Sequence, residues 1–340
     1  MNNIAQQSTA NLRALITNSA TKLGLSPAIV EKDFWVVVIL DYLFSRSPWK
    51  KQLSFKGGTS LSKAFGLIKR FSEDIDLILD WRLLGYGLNE PWNARSNTQQ
   101  DLFNVEANNR AAAFLRDTMV PRLKADLELE TGKKFPIHID ERDPNTVIIP
   151  YPCEFEDETI LREVRLESGA LAAWTPASYH AITPYVAEQY PRLFQKATTE
   201  VYTVEAERTF WEKVTILHKE AMRTEKQRAI LSRYSRHYYD IWCMCNSPVR
   251  KSALNRLDLL KEVVDFKHKF YRCTWAKYEL ATAEQISLMP PSCSLKALTL
   301  DYQHMQNMIF GPKPPFETIL AEIKRLESDI HSAATMFPIM

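Results

Sequence analysis

The hydrophobic pattern of one stretch predicts a strand, a glycine turn, a helix and a second strand in succession. Residues 52–55 have the character of a short strand that runs into the adjacent Gly57 and Gly58. Residues 59–68 place their apolar side chains at helical spacing, and residues 74–79 alternate with a period of two. This strand–turn–helix–strand unit is the centre around which we interpret the rest of the chain.

The second predicted strand brings two acidic side chains together. Because successive strand residues point to opposite faces, Asp74 and Asp76 share one face and Ile75 and Leu77 share the other. At about 4 Å and an effective dielectric constant of about 20, two such charges repel by roughly 4 kcal/mol. A divalent cation between them reverses that repulsion, so the pair predicts a metal site.

The glycine turn predicts a phosphate site beside the metal. Gly57 and Gly58 let the backbone approach a ligand closely. Thr59 or Ser60 is placed to cap the following helix, whose first N–H groups attract phosphate. Phosphate and metal together indicate nucleotide chemistry.

Outside this stretch, the pattern predicts an α+β protein with its strands confined to the first part of the chain. Before residue 205 we predict helices at 11–23, 27–44 and 106–130, strands at 135–139, 146–149 and 161–168, and a long loop at 80–99. After it we predict helices at 205–222, 225–245, 257–273, 295–309 and 316–332. We therefore expect a core domain at 1–203 and a helical C-terminal domain at 204–340.

Composition and charge narrow the function only slightly. Hydrophobic residues make up 45% and charged residues 25% of the 340 positions, as in ordinary globular proteins. The net charge is only +2, so binding to RNA would require a local basic surface. The longest apolar run, 34–40, is too short to cross a bilayer, and no signal peptide precedes it. We expect a cytoplasmic protein without a membrane partner.

The glycine turn and the aspartate pair also carry a family resemblance. GGTS followed after thirteen residues by DID resembles the signature of nucleotidyltransferases with the DNA polymerase β fold. The wider string KGGTSLSKAFGLIKRFSEDIDL is similar to the AbiEii/AbiGii family, the toxins of type IV toxin–antitoxin and phage-abortive systems. Four more blocks resemble the family in its order: EKDFW at 31–35, ERTFWEKVTILHKEA at 207–221, SRHYYDIW at 235–242 and DYQHMQNMIFGPKPPFETIL at 301–320.

The resemblance implies a nucleotidyltransferase core with a mixed sheet and a magnesium site. In such a core Asp74 and Asp76 would bind Mg²⁺, and a third carboxylate would lie on a neighbouring strand. The segment VRLESG resembles that strand and assigns the third carboxylate to Glu167. Glu163 shares the same predicted face and stays an alternative, as does a merely exposed charged face. Gly57, Gly58, Thr59 and Ser60 would hold the triphosphate of a nucleoside triphosphate, with Ser60 gripping its tail.

Two residues of the C-terminal half are implied in the same reaction. In the family, the helix with FWEK presents its lysine to the nucleotide, which corresponds to Lys213, and the helix with RHYYD presents its aspartate, which corresponds to Asp240. Lys213 would neutralise triphosphate charge, and Asp240 would orient Lys213 or the base. The structural alternative is a salt bridge between the two helices.

The block EKDFW has a simpler interpretation. Glu31, Lys32 and Asp33 lie together on a predicted amphipathic helix, where charged residues usually form a solvated face. A role in the active site is the alternative. We expect the solvated face.

A basic segment with interleaved tyrosines is the candidate RNA-binding surface. Arginine suits phosphates and tyrosine suits base stacking, although solvated helices show the same composition. The four residues predicted to bind RNA are Lys219, Arg223, Arg233 and Arg236. The same segment includes Lys226, Arg228, His237, Tyr234, Tyr238 and Tyr239.

These implications predict a magnesium-dependent nucleotidyltransferase toxin. It would transfer a nucleotide from a nucleoside triphosphate to RNA, at the 3′ acceptor end of tRNA, and so inhibit translation. The expected partners are the nucleotide, tRNA or another RNA, and a cognate antitoxin that need not bind the toxin. The alternatives are nucleotidylation of a protein hydroxyl, a non-catalytic module that binds RNA or a partner, and antibiotic nucleotidylation.

Overall fold

The chain divides into two units, each with its own packed interior. The computed structural model describes residues 1–72, 74–158, 160–173, 175–226 and 232–336. The first unit comprises Met1–Ala64 and Ser72–Val204, and the second comprises Phe65–Phe71 and Glu205–Met340. The second unit therefore includes a seven-residue segment from within the N-terminal part of the chain.

The first unit is built on a mixed sheet, which in the described residues has seven strands. Its strands are β1 (Leu53–Lys56), β2 (Ile75–Leu79), β3 (His138–Ile139), β4 (Thr146–Pro150), β5 (Glu163–Gly169), β6 (Ala177–Ile182) and β7 (Thr199–Val204). They lie in the order β3-β4-β5-β2-β1-β7-β6. Strand β2 is central, antiparallel to β1 and parallel to β5. The predicted α+β class with a mixed sheet is confirmed.

Helices of the first unit pack around this sheet. They are α1 (Asn2–Ala5), α2 (Thr9–Leu23), α3 (Pro27–Asp41), α4 (Gly57–Lys63), α5 (Asn97–Phe114), α6 (Val120–Thr131) and α7 (Tyr185–Gln189). The start of α3 follows the prediction, with Ser26 before it and Pro27 at its first position. Helix α3 is buried along most of its length and packs against β5 and β7.

Alternation along the central strands sends their side chains to two faces of the sheet. The face that we call polar carries Asp76 but also holds the buried Ile78 and Val204. Phe55, Ile75 and Leu77 are fully buried on the apolar face. Asp76 lies on the opposite face because its strand neighbours Ile75 and Leu77 point the other way. The polar face therefore carries the candidate chemistry.

The second unit is helical, as the pattern of its sequence predicts. Its helices are α8 (Ala206–Ala221), α9 (Arg236–Cys245), α10 (Val249–Leu254), α11 (Leu257–Phe270), α12 (Ser292–Met305) and α13 (Phe316–Met336). The segment Phe65–Phe71 is fixed within this unit, because Phe71 N donates to Met308 O at 2.8 Å and Phe310 N donates to Lys69 O at 3.0 Å. Across the described ranges, no helix is both long and apolar enough to cross a membrane.

Several predicted boundaries are wrong, for local reasons. The helix predicted at 59–68 begins two residues earlier and ends at Lys63, before Gly66 adopts a positive φ of 64°. The loop predicted at 80–99 ends sooner, because a capping box between Ser96 and Gln99 starts α5.

The strand predicted at 135–139 is reduced to His138–Ile139. The helix predicted at 225–245 is helical only over Arg236–Cys245, and residues 227–231 lie outside the described ranges. Strands β6 and β7 were not predicted.

Candidate nucleotidyltransferase site

A row of charged side chains crosses the polar face of the sheet. Strands β2 and β5 are parallel, and their register pairs Asp76 with Glu167. Neighbouring strands lie about 4.8 Å apart, and paired residues share a face. On the other side of β2, the antiparallel register pairs Asp76 with Lys56 of β1. We call Lys56, Asp76 and Glu167 the charged row.

The register distinguishes between the two candidates for the third carboxylate. Glu167 stands beside Asp76, whereas Glu163 lies four residues earlier, where β5 pairs with Pro150 of β4. Glu163 also has a cationic neighbour, since its Oε1 lies 3.5 Å from Arg165 Nη1. Arg165 in turn forms an ion pair with Asp140 and acts electrostatically on Asp74. The geometry favours Glu167 over Glu163 as the companion of Asp76.

The glycine turn packs directly on the Asp76 carboxylate. Gly57 has a φ of +83°, a conformation that glycine adopts without steric cost. A Cβ atom built on Gly57 would lie 1.8 Å from Asp76 Oδ2 and 2.5 Å from its Cγ. Only glycine at this position leaves room for the carboxylate, so the turn and the carboxylate form one site.

The helix cap predicted for Thr59 or Ser60 is wrong. The helix begins at Gly57 and not after Gly58, so neither Thr59 nor Ser60 caps it. The buried Thr59 hydroxyl bonds to the carbonyl oxygen of Asp74. The Ser60 hydroxyl, fully buried, donates to Gly57 O at 2.9 Å. Thr59 therefore holds the turn against the residue that precedes β2, and Ser60 fixes the turn internally.

The donor set fits a magnesium ion that shares its coordination with a substrate. Asp76 and Glu167 offer carboxylate oxygens from adjacent strands, and Mg²⁺ is usually bound by one or two carboxylates together with substrate phosphates. Among the residues that the structure describes, no three His, Cys, Asp or Glu side chains form a complete metal site by themselves. The residues fit a metal bound with its nucleotide.

The charged residues of EKDFW are buried, so the expected solvated face is wrong. Glu31 accepts hydrogen bonds from the backbone N–H groups of Glu154 and Phe155 at 2.9 and 3.2 Å, and burial raises its pKa. Lys32 donates to the carbonyl oxygen of Leu161 at 3.0 Å. These charged side chains therefore form a network of hydrogen bonds inside the protein instead of facing solvent.

Asp33 links this network to the glycine turn. Its carboxylate forms an ion pair with Lys63 of α4 at 2.7 Å and accepts a hydrogen bond from Tyr185 N at 2.7 Å. Lys63 Nζ also lies 4.0 Å from the centre of the Tyr185 ring. Because α4 begins at Gly57, this buried pair fixes the helix that carries the turn.

A second charged cluster lies within the helical unit. Asp240 is fully buried and binds the guanidinium of Arg70 through two bonds, Oδ1 to Nε at 2.7 Å and Oδ2 to Nη2 at 2.8 Å. Lys213 Nζ lies 2.7 Å from Asp240 Oδ2. We call Arg70, Lys213 and Asp240 the buried triad. Two cations against one carboxylate leave an excess of one positive charge.

The electrostatics of the buried triad keep Asp240 ionised. Burial opposes its charge, but the cations Arg70 and Lys213 outweigh burial and hold the pKa of Asp240 well below its usual range. Burial lowers the pKa of Lys213, with Asp240 opposing that shift and Arg70 adding to it. A lysine with a lowered pKa beside a fixed carboxylate is typical of functional sites, although structural ion pairs show it too.

The structure includes two residues that the sequence did not single out. Lys56 directly precedes the glycine pair. The period-two pattern of β1 could have predicted that Lys56 shares a face with Ser54. Arg70 had no local signal, because its partner Asp240 is 170 positions away.

The predicted RNA-binding residues are partly engaged within the helical unit. Lys219 Nζ and the Arg223 guanidinium each lie 5.2 Å from the Trp275 ring, and Arg223 forms an ion pair with Glu220. The backbone N–H of Arg233 donates to Asp301, and Arg236 is exposed at the start of α9. The interleaved Tyr238 and Tyr239 are fully buried and unsuited to stacking on bases, whereas Arg228 lies outside the described residues.

Comparison with known proteins identifies a family. The sequence model of the family described as "Nucleotidyl transferase AbiEii toxin, Type IV TA system" matches residues 38–322. Among solved structures, the chain is similar to MenT4, a nucleotidyltransferase toxin from Mycobacterium tuberculosis H37Rv. The two are 17% identical, with a TM-score of 0.44 over 95% of this chain and 98% of that one. No curated protein matches the chain.

Proposed function

Because the chain belongs to the AbiEii family of nucleotidyltransferase toxins of type IV toxin–antitoxin systems, we propose that it transfers a nucleotide to RNA. The acceptor is the 3′ end of tRNA, and the modification stops translation. The observation that carries this proposal is the packing of the Gly57 turn on Asp76, with Glu167 alongside. A phosphate-binding turn and two metal-binding carboxylates are the parts that nucleotide transfer requires.

In the proposed reaction, the terminal hydroxyl of the RNA attacks the α-phosphorus of a nucleoside triphosphate. The new P–O bond joins the nucleotide to the RNA, the bond to the β-phosphate oxygen breaks, and pyrophosphate leaves. Asp76 and Glu167, with Asp74 as the third candidate, would hold Mg²⁺ together with the nucleotide; the ion would lower the pKa of the attacking hydroxyl and stabilise the charge that develops on the phosphate. The protein's own contribution is to position these groups.

Different residues of the first unit position the triphosphate and the carboxylates. The backbone of the Gly57–Gly58 turn holds the triphosphate beside Asp76. Thr59 and Ser60 keep that turn in place through their bonds to Asp74 O and Gly57 O. Lys56, opposite Asp76, offsets the negative charge of the carboxylates before the metal and nucleotide arrive.

We also propose functional roles for Lys213 and Asp240, on the family resemblance of their helices. Lys213 neutralises triphosphate charge, and Asp240 orients its ammonium group. The lowered pKa of Lys213 beside an ionised Asp240 supports this assignment. Lys219, Arg223, Arg233 and Arg236 remain proposed RNA contacts of the helical unit.

The test is to incubate the purified protein with total tRNA, Mg²⁺ and each labelled nucleoside triphosphate in turn. We expect one nucleotide to label the tRNA. The variant Asp76→Asn should lower the rate about a thousandfold, which corresponds to about 4 kcal/mol of lost transition-state stabilisation. Nucleotide binding supplies a second measurement, because Mg²⁺ should tighten it in the wild type and not in Asp76→Asn.

Two other results would support a protein acceptor or a non-catalytic binding module instead. Label on a protein from cell extract, with RNA unlabelled, would replace RNA by a protein acceptor. Equal nucleotide binding by both proteins, with or without Mg²⁺, would argue for a binding module without catalysis.

A further inference from the structure

A polar pocket lies on the first unit at the start of β1. Its volume is about 190 Å³, and its lining includes Lys50, Lys51 and Arg82 together with Asp80. Three cations against one carboxylate give this pocket an excess of positive charge. Arg82 is bonded to Asp80 through Nε at 2.9 Å, and its side chain is 55% exposed. The pocket therefore favours an anionic ligand.

Two tyrosines form the opposite wall of the pocket. Tyr179 of β6 is paired with Tyr202 of β7, and their ring centres lie 5.1 Å apart. Tyr179 is 60% exposed, so its ring is accessible to a ligand. Exposed rings beside cations suit a ligand that has both aromatic and phosphate groups.

The pocket opens on the same face of the sheet as the charged row. Phe55 of β1 is paired with Thr203 of β7, so their neighbours Ser54 and Tyr202 share the opposite face. Ser54, which lines the pocket, lies two residues before Lys56 of the charged row. At about 3.4 Å per residue, that separation is about 7 Å, comparable to the step from one nucleotide to the next in an extended strand.

We propose that this pocket, which we call the Tyr179 pocket, binds the single-stranded end of the acceptor RNA next to the reacting nucleotide. The cations hold a backbone phosphate, and Tyr179 stacks on a base. The inference rests on the proposed function, in which the triphosphate occupies the Gly57 turn at the other end of β1. The Tyr179 pocket is therefore left to the second substrate.

The lysines of the pocket can still donate hydrogen bonds to a phosphate. Lys50 Nζ donates to Ser45 O at 3.1 Å, which fixes the ammonium group with one of its three donors. Lys51 is exposed. In single strands, each neutralised phosphate contributes about 0.7 to the slope of log affinity against log salt concentration.

The test measures binding of a fluorescent single-stranded RNA of about 12 nucleotides, without nucleoside triphosphate. Tyr179→Ala should raise the Kd about tenfold, because stacking on a base is lost. Tyr179→Phe retains the ring and should bind like the wild type. Lys51→Ala should reduce the salt slope by about 0.7. The matched control is Tyr271→Ala, which removes a tyrosine that is 52% exposed in the helical unit.

The outcomes separate this inference from the proposed function. If the wild type labels RNA, Tyr179→Ala should raise the KM for RNA and leave the KM for the nucleotide unchanged. If the wild type labels no RNA but the pocket variants still weaken RNA binding, the proposed reaction is wrong, whereas RNA binding by the pocket is supported. An unchanged Kd in Tyr179→Ala with an unchanged salt slope in Lys51→Ala overturns the pocket, as does a wild type that does not bind the RNA.

Discussion

Replacing Gly57 by alanine tests whether the turn and Asp76 act as one site. The added Cβ would lie 1.8 Å from Asp76 Oδ2, against 3.4 Å where ordinary contact begins, a shortfall of 1.6 Å. The backbone cannot easily yield, since Ser60 and Thr59 hold the turn by hydrogen bonds to Gly57 and Asp74. The Asp76 carboxylate must therefore move by more than 1 Å.

Two costs follow, and they affect different measurements. A positive φ strains any residue with a Cβ, which lowers the free energy of unfolding by about 1–2 kcal/mol. Displacing a catalytic group by about 1 Å lowers the rate about a hundredfold. We expect Gly57→Ala to remain folded with a modestly lower Tm and to lose nucleotide transfer by about a hundredfold or more.

Gly24 provides the matched control within the same unit. Its φ is +65°, and a Cβ built there meets nothing within 4 Å. Gly24→Ala should therefore show a similar loss of Tm with wild-type transfer. The assay is the single-turnover rate of nucleotide transfer beside a thermal unfolding curve for each variant. If Gly57→Ala transfers nucleotide as fast as Gly24→Ala, the turn does not position Asp76 for the reaction.

Three further predictions concern buried ionisable side chains. Asp240→Asn leaves two buried cations without a counter-charge and should lower the free energy of unfolding by about 3–5 kcal/mol, measured by urea denaturation. Asp33→Asn leaves Lys63 unpaired and should cost about 3 kcal/mol in the same assay. Burial, with nearby cations, holds the pKa of His237 well below its usual value, so the folded protein keeps it neutral. Below about pH 6.5 the unfolded state binds the extra proton, and stability should fall by about 1.4 kcal/mol per pH unit.

A second variant serves as the control for each of these three predictions. Asp240→Glu keeps the charge and should retain more stability than Asp240→Asn; equal losses would show that packing and not charge is responsible. The double variant Asp33→Asn, Lys63→Met removes both charges of the pair and should be milder than Asp33→Asn alone. His237→Gln should flatten the acid limb of the stability curve, and an unchanged limb would assign it to other groups.

The parts of the site that depend on local sequence were predictable. Alternation predicts that Asp76 lies opposite Ile75 and Leu77 on β2, although the strand begins only after Asp74. The Ser26–Pro27 pair marks the start of α3. The glycine pair marks the turn, although the helix starts two residues earlier than predicted. These features need only neighbours within a few positions.

The parts that depend on distant partners were not predictable. Glu31 is buried because its partners come from residues 154 and 155, and nothing in its own helix indicates that pairing. The choice between Glu163 and Glu167 required the register of β2 and β5. Tyr179 lies on β6, which is mostly exposed and forms the edge of the sheet beside β7, so its strand structure depends on that partner. In each case tertiary pairing, and not spacing along the chain, decides the outcome.

The chain leaves the first unit after Ala64 and returns to it at Ser72, which affects how the protein can be divided. A fragment that starts at residue 205 lacks Arg70 and leaves Asp240 with a single cationic partner. A fragment that ends at residue 204 carries an orphan segment whose hydrogen-bonding partners, Met308 and Phe310, are missing. A single cut at residue 204 therefore does not yield two complete halves.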